Sequence, residues 1–264
     1  SQGKAPTHPD LLDWLAGDFV AHGWDVKRLL AQIVKSATYR QRSSVSSQAF
    51  SGDPENDLLS RFPSYRLSAE MIRDNALAVS GLLVDRIGGN SVKPYEVAVS
   101  FKPLQRDKGE GLYRRSLYTY WRRTAPPPTM MTFNAAPREI CDVRNGITTT
   151  PLQALTLMNN ITFVEAARFL AERMLTEGGA TPNERIAFAF RLVTSRQPTP
   201  QEVAELRQTL ETFQSDFARD PTTAEKLLTV GEQPVNQDLP AAELAAYALV
   251  ANTIMNLDEA ITLN

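Results

Sequence analysis

The 264-residue chain has one cysteine, Cys141, and two histidines, His8 and His22. A single cysteine excludes an internal disulfide framework and any cysteine-based zinc site. With no histidine near Cys141 in the sequence, a histidine-activated nucleophile is disfavoured. Arg138-Glu139 precedes Cys141 and Asp142-Val143-Arg144 follows it, so the arginines could lower its thiol pKa. The plainer reading of Cys141 is a small buried hydrophobe. No apolar run approaches the ~20 residues that a bilayer span requires. A glycine-rich phosphate loop, an H-E-x-x-H pair and a calcium loop are all missing. The net charge is 28 − 30 = −2, which excludes a chain-wide polyanion binder. No metal site and no membrane span are therefore expected.

What is present is ordinary globular composition, 42% hydrophobic and 22% charged, with length enough for a buried core. The chain starts at Ser1 and reads as processed or as a fragment of a longer protein. The expected fold is mainly α: an irregular helical bundle, one domain over 1–264, with a long Arg/aromatic-rich central loop and at most a little β. Its sub-regions run 1–111, 112–150 and 151–264.

Thr7-His8-Pro9-Asp10 predicts a helix start, and Gly23 a stop. Asp25 caps a second helix, in which Val26, Leu29, Leu30, Ile33, Val34 and Ala37 form an amphipathic stripe. The Ser-rich stretch from Gln41 to Asp53 reads as loop. Ser68 caps a helix through about Leu83, buried along Ile72, Ala76, Val79 and Leu83. Ser91 to Gly111 reads as loop with a short strand around Glu96 to Phe101, and Leu112 to Arg123 as extended. Thr124 to Thr150 is irregular. Thr150-Pro151-Leu152-Gln153, Thr181-Pro182-Asn183-Glu184 and Thr199-Pro200-Gln201-Glu202 are three capping boxes that open well-patterned helices. Asp220-Pro221 opens a shorter helix. A last one carries Leu244, Tyr247, Ala248, Ala251, Ile254 and Met255.

One stretch rises above this background. Leu112 to Asn160 holds six arginines (Arg114, Arg115, Arg122, Arg123, Arg138, Arg144), no lysine, and only Glu139 and Asp142 as acids, a local +4. Tyr113, Tyr118, Tyr120, Trp121 and Phe133 are interleaved with them. Guanidinium forks suit carboxylate, sulfate or phosphate, and flat aromatic faces suit a sugar ring. The competing reading is that these arginines pair with acids of neighbouring helices, such as Glu243, Asp258 and Glu259, and lock the loop down. Nucleic acid is not expected, because lysine is absent here and the rest of the chain is acidic.

The chain resembles the C-terminal domain of unknown function of large secreted planctomycete and verrucomicrobial proteins that also carry cytochrome-c-like haem modules. The resemblance rests on THPDLLDWLA (Thr7 to Ala16), IVKSATYRQ (Ile33 to Gln41), RLSAEMIRDNALAVSGLL (Arg66 to Leu83), GGNSVKPY (Gly88 to Tyr95), LYRRSLYTYWRRTAPPPTMMTF (Leu112 to Phe133), REICDVRNGITTTPLQALTLMN (Arg138 to Asn159) and NLDEAIT (Asn256 to Thr262). It implies an extracytoplasmic location, and haem-bearing domains of the same polypeptide as partners. It supplies no reaction. The C-x-x-C-H needed for covalent haem is missing from this chain, so haem is expected only in neighbouring domains. His8 and His22, in a helix cap and a helix end, read as structural.

Three functions follow. The first is a non-catalytic interaction module that holds an acidic or sulfated glycan, or a sister domain, through Arg114, Arg115, Tyr118, Trp121, Arg138 and Arg144. The second is a polysaccharide hydrolase or lyase, with Arg114, Arg138 and Arg144 on substrate and Glu139 or Tyr118 as acid or base. The third is a structural shell around the haem modules.

Overall fold

The computed structural model describes residues 5–95, 105–138, 146 and 148–263. The mainly α expectation holds: twelve α-helices and one two-stranded sheet, β1 (Tyr65–Arg66) beside β2 (Thr262–Leu263), among those residues. The chain divides into two compact units, Ser1–Tyr65 with Thr262–Asn264, and Arg66–Ile261.

The smaller unit opens with a helix hairpin, α1 (Pro9–Ala21) and α2 (Val26–Lys35). Proline in the first turn starts α1, and Gly23 and Trp24, at φ 70° and 61°, make the tight reversal. Asp25 caps α2 as expected, accepting from the Arg28 N–H at 3.0 Å. The Ser-rich stretch is not all loop. Ser46 accepts from the Ala49 N–H at 3.3 Å and so starts a short helix, α3 (Ser47–Gly52). Beyond it, the Asp53 carboxylate gathers the N–H groups of Asp57 and Leu58 and the Ser60 hydroxyl at 2.8–3.1 Å. Arg61 lies over Phe50 and donates to the carbonyls of Asp53 and Pro54. Among the described residues of this unit, only Asp53, Arg61 and Phe62 are buried.

The larger unit begins with α4 (Ala69–Ser80), capped by Ser68 and ended by Gly81 at φ 81°, short of the expected Leu83. Ile72, Ala76 and Val79 are its buried face, as the spacing predicts. The expected strand around Glu96 to Phe101 lies outside the described residues. Leu112 to Arg123 is not an extended strand. One 3-10 turn, Gly109–Leu112, leads into it and a second, Ser116–Tyr118, lies within it, with isolated bridges from Arg114 to Val84 and from Thr119 to Val92. A short helix, α5 (Pro128–Thr132), interrupts the irregular middle.

The predicted punctuation then governs the bundle: α6 (Pro151–Asn159), α7 (Ile161–Glu177), α8 (Pro182–Thr194), α9 (Pro200–Arg219), α10 (Pro221–Leu228), α11 (Ala241–Met255) and α12 (Asp258–Ile261). Four of them start as the sequence predicts, α10 with Asp220 accepting from the Thr222 N–H at 3.1 Å. In α6, Gln153 accepts from the Thr150 N–H at 3.0 Å, and α8 and α9 open with complete capping boxes at Thr181 and Thr199. Asn160 ends α6 and caps α7. The core centres on α7 and α11. Leu170, Met174, Ile186, Leu210 and Leu244 are all but fully buried. Helix α11 is apolar on every side, so it sits inside the bundle, and its alanines let neighbouring helices approach closely.

Candidate ligand-binding surface

Arg114, the arginine the sequence puts at the centre of a candidate site, faces inward. Its side chain is 1% exposed, and its guanidinium donates to three backbone carbonyls: Asn90 at 3.1 Å, Arg86 at 2.8 Å and Gly88 at 2.5 Å. It stacks on the Tyr118 ring with 3.8 Å between guanidinium carbon and centroid. Gly88 and Gly89, at φ 81° and 87°, let the loop curl around it, and a Cβ on Gly89 would lie 3.6 Å from Nη1. The Tyr118 hydroxyl accepts from the Gly88 N–H at 2.7 Å, so it belongs to the same lock.

A second buried arginine supports the first. Arg73, on α4, donates to the carbonyls of Leu112 (2.6 Å) and Arg114 (2.9 Å) and to the Ser116 hydroxyl (3.1 Å). Desolvation lowers its pKa to about 10, against the opposing pull of Asp74. Asp74 in turn accepts from the Ser116 N–H at 2.7 Å. The tight turns from Leu112 to Tyr118 are thus held by side chains of a neighbouring helix rather than by a sheet ladder.

The other expected site residues are placed as follows. Arg115 is exposed. Trp121 is half-buried and donates through Nε1 to the Pro137 carbonyl at 3.2 Å. Arg138 is exposed, at φ 60°, with its guanidinium 4.5 Å from the Trp121 ring centroid. Arg122 and Arg123 are engaged. Glu139, Cys141 and Arg144 lie outside the described residues. The cluster therefore resolves into two separate cation–aromatic pairs, Arg114 on Tyr118 and Arg138 on Trp121. Two of the three tail acids expected as partners pair elsewhere, Glu243 with Arg185 at 3.2 Å and Glu259 with Arg196 at 2.8 Å, and Asp258 is also engaged. Arg66 anchors the far end of the stretch, donating to Gln153 at 2.8 Å and to the Thr148 carbonyl at 3.1 Å.

The solvent side of the Arg114 lock is an open basin of about 860 Å³, lined by the 86–93 loop together with Asp107, Lys108, Gly111, Arg114 and Tyr120. Its exposed cations are Arg86 and Lys108, and Lys93 adds a third. Arg86 meets Glu110 at 3.1 Å, but both side chains are more than 60% exposed, so the pair is weak. Asp107 is the basin's one carboxylate among the lining residues. It accepts from the Lys93 N–H at 2.8 Å and lies 3.8 Å from the Lys93 ammonium. The basin can attract an anion, and its carboxylate is already occupied.

Sequence reasoning missed one polar centre. Glu165 on α7 is 1% exposed and accepts four hydrogen bonds: from the Tyr95 and Tyr113 hydroxyls (2.9 and 3.1 Å) and from the N–H groups of Glu232 and Gln233 (2.8 and 2.9 Å). Arg168 lies 3.8 Å away and donates to Glu172 and to the carbonyls of Gln233 and Pro234. Burial and the neighbouring carboxylate push Tyr95 up to about 12, and burial pushes Tyr113 higher still. A Cβ on Gly231 would fall 2.3 Å from the Glu165 carboxyl carbon, so only glycine fits there. The Glu165–Arg168–Glu172 spacing was visible in the sequence, but it lies opposite the apolar stripe and reads as a solvated face.

Among the described residues, no cluster of metal-ligating side chains is present, and no helix is long and apolar enough to cross a membrane. The family model for PSD1, a protein of unknown function (DUF1553), matches residues 1–210. The chain belongs to the PSD1 family. No curated protein and no solved structure matches it.

Proposed function

We propose that this chain is a non-catalytic binding module of a larger extracytoplasmic protein, and that it holds an acidic or sulfated glycan in the basin between the 86–93 loop and Tyr120. The observation that carries the reading is the set of cations there, Lys108 with no ion pair among the described residues, Arg86 held only by an exposed contact with Glu110, and Lys93 beside Asp107, whose oxygens are directed to it. Tyr120 supplies a flat face for a sugar ring, and the Gly88-Gly89-Asn90 backbone supplies polar groups. In this reading Arg114 and Tyr118 shape the basin floor, and the ligand meets the lysines. The extracytoplasmic setting and the haem-bearing sister domains belong to the proposal and are supported by the resemblance of the Arg66 to Leu83 and Leu112 to Phe133 motifs.

A hydrolase or lyase reading gains no support from the described residues, because the Tyr118 hydroxyl is taken by Gly88 and the basin carboxylate is engaged. Arg114 itself is directed inward, its Nη1 and Nη2 donating to the carbonyls of Asn90, Arg86 and Gly88. Calorimetry with heparin and chondroitin sulfate at low ionic strength tests the proposal. Binding is expected to fall with salt, and to weaken by about tenfold or more in Arg86→Glu/Lys108→Glu. No binding at low salt, or binding indifferent to that double substitution, would sink it.

A further inference from the structure

The smaller unit holds a cleft of its own, lined by residues between Ser43 and Ser64. Its volume is about 670 Å³, within the range of small-molecule clefts, about 300–1,000 Å³. One wall is the chain from Asp53 to Arg61, which its own polar groups fix. Asn56 closes it, donating through Nδ2 to the Arg61 carbonyl at 2.9 Å and accepting through Oδ1 from the Arg61 N–H at 3.2 Å. The Arg61 guanidinium donates to the carbonyls of Asp53 and Pro54 at 2.6 and 2.7 Å and lies 4.9 Å from the Phe50 ring centroid. One face of Phe50 is thereby covered. The ring is still 53% exposed, so its other face is open.

The lining narrows the class of ligand. Arg61 is its one cation, and that guanidinium is buried and committed to carbonyls. No free cation is offered to an anion, and Glu55, exposed and unpaired among the described residues, repels one. A cationic ligand is disfavoured too: Arg61 already sits on one face of Phe50, and a second positive charge over the opposite face would be repelled by the first. What is left is neutral. Ser43, Ser44 and Ser47 bring hydroxyls that no protein group engages among the described residues, and each can both donate and accept. A pyranose has the matching parts, an apolar C–H face and hydroxyls that also donate and accept. We propose that this cleft is a subsite for a neutral saccharide, with Phe50 under a sugar ring and Ser44, Ser47 and Glu55 on its hydroxyls. The subsite stands independently of the charged basin of the larger unit.

Calorimetry on the 264-residue chain with cellohexaose, xylohexaose and mannohexaose tests it. Saturable binding of at least one is expected, with a Kd of about 1 mM or tighter. It should not change with salt, in contrast to heparin in the basin. Phe50→Ala should weaken it by about fivefold or more. Ser44→Ala/Ser47→Ala should also weaken it by about fivefold or more. Those serines are exposed, so the pair keeps the test decisive if Phe50→Ala disturbs the fold, which circular dichroism checks. Arg86→Glu/Lys108→Glu should leave the binding unchanged. Silence from all three hexasaccharides overturns the proposal. So does binding that the serine pair leaves intact, binding lost with the basin cations, or a preference for trilysine that Glu55→Gln removes.

Discussion

Helices α2 and α7 both carry clean apolar stripes, and they meet opposite fates. In α7 the stripe of Phe163, Ala167, Leu170 and Met174 is buried, and the polar face behind it, with Glu165 and Arg168, is buried too. In α2 the stripe faces out and the polar side turns toward α1. Periodicity tells which side of a helix is apolar. It does not tell whether anything arrives to cover that side, or whether a loop will also arrive to cover the other.

The comparison breaks most sharply at Glu165. Glu165→Ala leaves Arg168, two backbone N–H groups and two tyrosine hydroxyls without their shared acceptor. A loss of about 3–5 kcal/mol is expected in denaturant unfolding. A change near 1 kcal/mol would show that the buried network contributes little to the fold's stability. A matched pair of truncations comes next. Leu170→Ala should cost about 2–5 kcal/mol. Leu30→Ala, its counterpart on α2, should stay within about 0.5 kcal/mol. Equal costs would mean that the hairpin face is covered after all.

Extremes of pH act on the same contrast. Tyr95 has a raised pKa in the fold because its charged form is desolvated and sits beside Glu165. Its contribution is complete below pH 10 and is lost as pH rises through about 12. Glu202 behaves in the opposite sense. Hydrogen bonds from Arg196 and Thr199 hold it at about 2, so its contribution is present above the ordinary carboxylate value and is lost as pH falls toward 2. A melting-temperature profile that is flat at both ends would contradict these assignments. The smallest effect is expected at Arg138. Its contact with Trp121 is exposed, so Arg138→Ala should cost about 0.5–1 kcal/mol. Unfolding of that variant would give Arg138 the structural part that Arg114 plays.

Much of the bundle was legible. The three threonine-proline capping boxes, the Asp25 and Ser68 caps and the stripe of α4 are local devices, written within four to eight residues, and the fold uses them as read. The arginine-rich middle was legible as unusual but not as to purpose. A guanidinium suits an anion and a ring of carbonyls equally well, and nothing within Leu112 to Asn160 reveals that the carbonyls of Arg86, Gly88 and Asn90 wait for Arg114.

The sequence by itself determined where helices begin, which of their sides are apolar, and that no cysteine framework or membrane-spanning helix organises the chain. Those outcomes depend on neighbours a few residues apart. The tertiary structure alone decided that Arg114 is spent on its own backbone, that Glu165 is buried behind Tyr95 and Tyr113, and that Lys108 faces solvent beside Arg86. Each of these requires segments from 22 to 70 residues apart to come together, and no local pattern encodes that meeting.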